Sequence, residues 1–154
     1  MTGIALALSE LPTAVLDAQD LHRRVHDRGG EAEVRFLWRH RPCVLPVWHE
    51  GQLVIARWGC RRGESKVLPV TGWAWTATLE AGGFALWEPE PVEIPATFGL
   101  DRGIWYGIRE GVRGVLVKDE AGVAVVYVLC QPATRYYEVM TRSDRMPVLI
   151  GETI

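Results

Sequence analysis

The sequence predicts an α+β domain, mainly antiparallel β, whose strands form a barrel-like or strongly bent sheet accompanied by two short helices. Three observations lead there. Short apolar runs bounded by turn residues follow one another from residue 33 to residue 130. A helical periodicity stands before this stretch and another after it. The 154 residues show no internal repeat, low-complexity tract or linker, so one domain over 1–154 is expected, large enough to bury roughly two-thirds of its unfolded surface.

Taken in order, Ala14, Ala18, Leu21 and Val25 recur at helical spacing and predict one amphipathic helix over Thr13–Asp27, stopped by Gly29-Gly30. His22 and His26 stand four apart on it without a third ligand, so a solvated face is expected rather than a metal site. Strand-like runs follow at 33–40, 43–48, 52–58, 66–70, 72–80, 84–87, 103–109, 112–118 and 122–130. His49-Glu50-Gly51-Gln52 and Asp119-Glu120-Ala121-Gly122 carry the composition of hairpin turns. Glu88-Pro89-Glu90-Pro91 is too proline-rich for a central strand and predicts a surface connection. Pro132 to Arg142 suits a second short helix, and Pro147 holds the preceding residue, Met146, extended.

Composition narrows the function. With 48% hydrophobic and 23% charged residues the chain is of globular type, and no apolar run approaches the ~20 residues a spanning helix needs. The start of the chain has no basic segment before Glu10, so a cytoplasmic protein is expected, with no membrane partner. Cys43, Cys60 and Cys130 are odd in number and widely spaced, which points to buried thiols rather than a zinc or dithiol site. A net charge of −2 excludes coating nucleic acid by charge alone, so any polyanion site must be local. Two such local clusters exist. Arg57-Trp58-Gly59 is followed by Arg61, Arg62 and Lys66, and Arg35, Trp38, Arg39, His40 and Arg41 form a second group. Cations contact phosphates and an exposed indole stacks on bases, the combination single-stranded nucleic-acid sites use; a core tryptophan beside a solvated basic loop gives the same pattern. Trp73 and Trp75, alternating on one strand, share a face. No G-x-S-x-G, H-E-x-x-H or phosphate-binding glycine loop is present.

The least generic string is Ser143-Asp144-Arg145-Met146-Pro147-Val148-Leu149-Ile150. It resembles the His-Asp-Arg-Met-Pro-Val-Ile-Leu segment of the SRAP family, the SOS-response-associated peptidases that crosslink to abasic sites in single-stranded DNA. Other stretches resemble that family in the same order. Arg57-Trp58-Gly59 is similar to its Arg-Trp-Gly step, Ile94-Pro95-Ala96 to its Val-Pro-Ala, and Val112 to Val117 to its Ala-Gly-Leu-Trp-Glu strand. Pro132-Ala133-Thr134 resembles the turn before its last helix, and Met1-Thr2-Gly3-Ile4 stands where it has Met-Cys-Gly-Arg.

The resemblance implies a catalytic set that this chain alters. Thr2 replaces the cysteine nucleophile, and Ser143 replaces the histidine. The segment with the family's asparagine falls near Trp73-Ala74-Trp75-Thr76-Ala77-Thr78, which has neither Asn nor Arg. The glutamate column falls on Asp101 when counted without gaps from Pro95-Ala96, or on Tyr106 when aligned on Gly103-Ile104-Trp105-Tyr106. Removal of Met1 would free the Thr2 amine for a Schiff base, and retention of Met1 would block it. Ser143 cannot shuttle protons as histidine does near neutral pH. The implied protein binds single-stranded or abasic-site DNA through Arg57, Trp58, Arg61, Arg62 and Arg145, needs no cofactor or metal, and crosslinks weakly or not at all. The alternative is a non-catalytic protein- or ligand-binding module on the same fold, phage-related in either case.

Overall fold

The computed structural model describes residues 1–152. The chain forms β1 (Gly3–Ala7), α1 (Thr13–Ala18), β2 (Val25–Arg28), β3 (Glu31–Leu37), β4 (Val44–His49) and β5 (Gln52–Trp58). It continues through β6 (Trp73–Trp75), α2 (Thr76–Glu80), β7 (Glu90–Pro95), β8 (Phe98–Asp101), β9 (Ile104–Gly107) and β10 (Gly111–Lys118). It ends with β11 (Ala124–Pro132), α3 (Arg135–Thr141) and β12 (Arg145–Pro147). The architecture is α+β and mostly antiparallel. Strands β10, β7, β4, β5 and β11 form a closed five-stranded barrel, since β11 pairs again with β10. A second sheet runs β2-β3-β1-β8-β9.

The organising strand is β11. One edge pairs with β10 and then β12, and the other runs parallel to β5 and then β6. With both edges occupied, Val125 through Cys130 are all buried, which explains an unbroken apolar run in a largely antiparallel protein. Its side chains alternate between two cores. Val126 and Val128 enter the main one with Ile4, Phe36, Leu45 and Trp58, while Val125, Tyr127 and Leu129 face a second built with Cys60, Leu68 and Phe84.

Both predicted hairpin turns form. Glu50 and Gly51 take positive φ between β4 and β5, and Asp119 Oδ1 accepts the N–H groups of Ala121 and Val123 between β10 and β11. The second predicted helix is α3, starting later than Pro132, with the Thr134 side chain accepting the Tyr137 N–H as its cap.

Four expectations are corrected. The first helix ends at Ala18, because Leu16 rather than Ala14 or Ala18 is its buried residue and Val25–Arg28 pairs with β3 instead. Gly29 and Gly30, at φ +59° and +94°, then make the hairpin turn of β2 and β3 rather than a helix stop. Residues 66–70 form no strand, residues 84–87 contain a 3-10 turn, and 72–80 divide into β6 and α2, giving three α-helices instead of two among the described residues. Of the proline-rich segment, Glu88 and Pro89 stay in a connection while Glu90 and Pro91 open β7, a strand of the barrel. Its ladder with β10 is six pairs long, but toward β4 it keeps only Trp48 opposite Glu93, which tolerates Pro91 and Pro95 on either side of that pair. Strands β1 and β8, absent from the sequence reading, lie side by side with Gly3 opposite Leu100.

Among the described residues no helix is long and apolar enough to cross a membrane. All three cysteines are free and buried.

Candidate functional site

A cleft of about 330 Å³ opens where the ends of the two sheets meet. One wall comes from the second sheet. Its central strand β1 sets Thr2 between neighbours, with the Thr2 N–H donating to Leu100 O at 2.6 Å and Trp38 N–H donating to Thr2 O at 2.9 Å. That ladder brings Trp38, at the end of β3, and Asp101, at the end of β8, beside the start of the chain. The other wall comes from the strands on either side of β11: β6 supplies Trp73 and Trp75, and β12 supplies Arg145. The Arg145 guanidinium stacks on the Trp73 ring at 4.5 Å.

Thr2, Asp101, Ser143 and Arg145, which the resemblance drew from separate parts of the sequence, therefore line one cleft. Their environments differ. Asp101 is 3% exposed, and its Oδ2 accepts from the Met1 α-amine at 3.0 Å and from the Tyr137 hydroxyl at 2.8 Å. Tyr106 Oη lies 3.1 Å from Tyr137 Oη; because Tyr137 gives its own proton to Asp101, Tyr106 is the donor between the two phenols. Burial raises both phenols above the ordinary tyrosine value, so they remain neutral donors. Both alternatives for the glutamate column thus belong to one hydrogen-bonded chain. Asp101 faces the cleft and Tyr106 supports it from behind.

The free amine of the cleft is that of Met1. Desolvation lowers its pKa below the ordinary 8.0, with the Asp101 carboxylate opposing and the Arg145 charge adding to the fall. This corrects the expectation that a retained Met1 leaves the cleft without an amine. Met1 is 3% exposed, and its side chain packs in the main core. Thr2 is exposed, and its hydroxyl donates to Leu100 O at 3.3 Å.

Ser143 turns its hydroxyl onto the backbone, donating to Arg145 O at 2.9 Å. It fixes the turn that delivers Arg145, and offers no titrating group to the cleft. Beneath Arg145, burial pushes the Cys130 thiol up to about 11, against the opposing charges of Arg145 and the amine, so it is a neutral filler.

The remaining sequence candidates divide. Trp58 is 1% exposed and donates its indole N–H to Gly72 O at 3.1 Å. It therefore presents no stacking face, which corrects its assignment as a DNA contact. It serves as the keystone of an edge-to-face row, with Trp38 at 5.2 Å and Trp73 at 5.7 Å, and so sets the spacing of the two cleft walls. Arg57 is likewise turned away, held by Asp119 at 3.1 Å. Arg61 lies over Trp38 at 4.3 Å, and Arg62 is exposed outside the cleft lining.

The sequence reading missed Tyr137 and the Met1 amine. Helical spacing alone could not separate buried Tyr137 from its exposed neighbour Tyr136. Among the described residues no group of three or more His, Cys, Asp or Glu is placed to hold a metal; His22 Nε2 instead meets Asp17 Oδ1 at 2.6 Å. Comparison of the chain with known family models, curated proteins and solved structures finds no match.

Proposed function

We propose that the chain is a divergent SRAP-like protein of the DNA-damage response that holds single-stranded DNA, including abasic-site DNA, in the tryptophan-walled cleft and has weak, reversible crosslinking chemistry. The observation that carries this reading is the convergence of Thr2, Asp101, Ser143 and Arg145 in one cleft with Trp38, Trp73 and Trp75. Exposed Trp75 offers a face for a base, and Arg102 and Arg145 offer charge for a phosphate.

An abasic site carries an aldehyde. The Met1 nitrogen, with its lowered pKa, adds to the aldehyde carbon; a proton moves to the carbonyl oxygen and water leaves, giving an imine. Asp101, 3.0 Å from the amine, is the group placed to take and return that proton. No hydroxyl or thiol of Met1 can close a ring on the imine, so the adduct hydrolyses readily. Removal of Met1 would put the Thr2 amine and hydroxyl together on one residue and allow ring closure, with a weaker nucleophile than a thiol.

The test is incubation with single-stranded DNA carrying one abasic site, with and without borohydride, beside an intact mass that reports Met1. Borohydride-dependent trapping and salt-sensitive binding are expected. Absence of both overturns the proposal. Trp75 at the rim favours one second reading, a non-catalytic module whose tryptophan surface takes a protein or small ligand. Tryptophan fluorescence that ignores added single-stranded DNA would select it.

A further inference from the structure

The turn between β3 and β4 gathers positive charge that the cleft does not use. Residues Trp38 to Pro42 are pinned by Leu37 N–H donating to His40 Nδ1 at 3.1 Å and His40 N–H donating to Leu37 O at 3.0 Å. Arg24 reaches in from the 3-10 turn before β2 and donates to Pro42 O at 2.7 Å. Arg61 covers the other side, stacked on Trp38 at 4.3 Å. Arg41 donates to His40 O at 3.3 Å, and Arg39 stands exposed on the same turn.

No carboxylate lies within 4.0 Å of Arg24, Arg39, Arg41 or Arg61 among the described residues, whereas Arg28, Arg35, Arg57 and Arg109 each have one. Two further neighbours, His40 and Cys43, supply no counter-charge. His40 is held down to about 4 by burial and then by Arg24, Arg39 and His26, so it is a neutral acceptor. Burial pushes the Cys43 thiol up, against Arg61 and Arg41 beside it, so it too is neutral. Glu64 Oε1 accepts the Arg61 backbone N–H, so one carboxylate borders the cluster without forming an ion pair with any of the four guanidiniums. Unused donors are the second observation. Four buried side-chain polar atoms lack a hydrogen-bond partner among the described residues, and three of them are Arg24 Nη1, Arg61 Nε and Arg61 Nη2. Buried donors left unpaired are costly, so Arg24 and Arg61 gain hydrogen bonds when a side-chain shift brings these nitrogens to an anion, which the gathered charge favours.

We infer that this turn, with Arg24 and Arg61, binds the phosphodiester backbone of single-stranded DNA as it leaves the cleft. The inference rests on the proposed function, and Trp38 supplies the continuity because it belongs to both the turn and the cleft wall. Guanidinium forks suit phosphate oxygens, and four of them in a chain of net charge −2 make the kind of local polyanion site its overall charge requires.

The experiment measures binding of oligo-dT of about 4 and about 12 nucleotides across a salt series, by anisotropy. The proteins compared are the wild type, Arg39→Gln/Arg41→Gln, Arg24→Gln and the cleft variant Arg145→Gln. Arg39 and Arg41 are exposed, so that variant retains the fold. The expected result is about a tenfold loss for the longer strand in the turn variants, a smaller loss for the shorter one, and a log–log salt slope reduced by about 0.7 per cation removed. Unchanged affinity and slope in both turn variants, with Arg145→Gln weakened, overturn this inference and leave the cleft reading standing. Weakening in the turn variants with Arg145→Gln unchanged does the reverse, and a wild type that binds neither strand overturns both.

Discussion

Tyr137 donates a 2.8 Å hydrogen bond to Asp101 from inside the protein, onto the same carboxylate oxygen that receives the Met1 amine. The pair ties the last helix to the end of β8 across the sheet junction, and both residues are buried. Tyr137→Phe removes the donor, leaves the Tyr106 hydroxyl without its acceptor and strips Asp101 of one of two partners. A loss of ~1–3 kcal/mol in urea unfolding is expected. A variant as stable as the wild type would show that the phenol is not holding the carboxylate.

A second buried carboxylate lies on the far side of the same sheet. Glu33, 4% exposed, receives Arg28 Nε at 2.6 Å and Arg28 Nη2 and Arg35 Nε each at 2.9 Å, and Arg28 also stacks on Phe98 and Trp105. Burial alone would raise its pKa, but the hydrogen bonds and charges of Arg28 and Arg35 bring it below the ordinary 4.5. A carboxylate with a depressed folded-state pKa contributes stability that is present above 4.5 and is lost as pH falls through the folded value. Glu33→Gln should therefore cost roughly 3 kcal/mol at neutral pH, with the gap to wild type closing on acidification below the ordinary carboxylate range. Parallel stability curves for the two proteins down to acid pH would contradict it.

Gly59 closes the Arg57-Trp58-Gly59 step at φ +58°, where a Cβ would fall 2.2 Å from Thr71 O. Cys60 N–H donates to that same carbonyl at 3.1 Å, and Trp58 holds Gly72 next to it. Strain and overlap against backbone act together. Gly59→Ala should cost at least ~2 kcal/mol and, by displacing the Gly72 segment, shift the fluorescence of the tryptophan row. Retention of the wild-type unfolding midpoint would remove the structural account of this motif.

Reading this chain from its sequence worked where the cause was local. The turns at Glu50-Gly51 and Asp119–Gly122, and the helix expected over Pro132 to Arg142 that forms as Arg135–Thr141, follow from residue types within a few positions. It failed where a distant partner decided. Val25–Arg28 became a strand through pairing with β3, and Pro91 and Pro95 entered the barrel because one side of β7 is nearly free of partners. Trp58 stayed ambiguous for the same reason: a cation beside an indole reads alike in a nucleic-acid groove and in a core, and distant partners, Val126 on β11, Gly72 and the Trp38 and Trp73 rings, decide for the core. The cleft residues Thr2, Asp101, Ser143 and Arg145, with Tyr106 as the alternative to Asp101, could be named from motif order, but Tyr137 could not, since it meets Tyr106 across 31 positions of sequence.

Trp75 separates a stacking surface from a structural indole. It stands 39% exposed on β6 at the cleft, while Trp38, Trp58 and Trp73 are locked edge-to-face into one row. Its removal should therefore leave the fold intact. Trp75→Ala is expected to change unfolding stability by less than about 0.5 kcal/mol, as for an ordinary surface site, and to weaken single-stranded DNA binding by ~1–3 kcal/mol, the worth of one base–aromatic stack. Trp58→Phe supplies the contrast: it loses the bond to Gly72 O, lowers stability, and affects DNA binding only as far as the walls move. A Trp75→Ala protein that binds single-stranded DNA as tightly as the wild type would take the base-stacking role from the cleft, whatever charge remains around it.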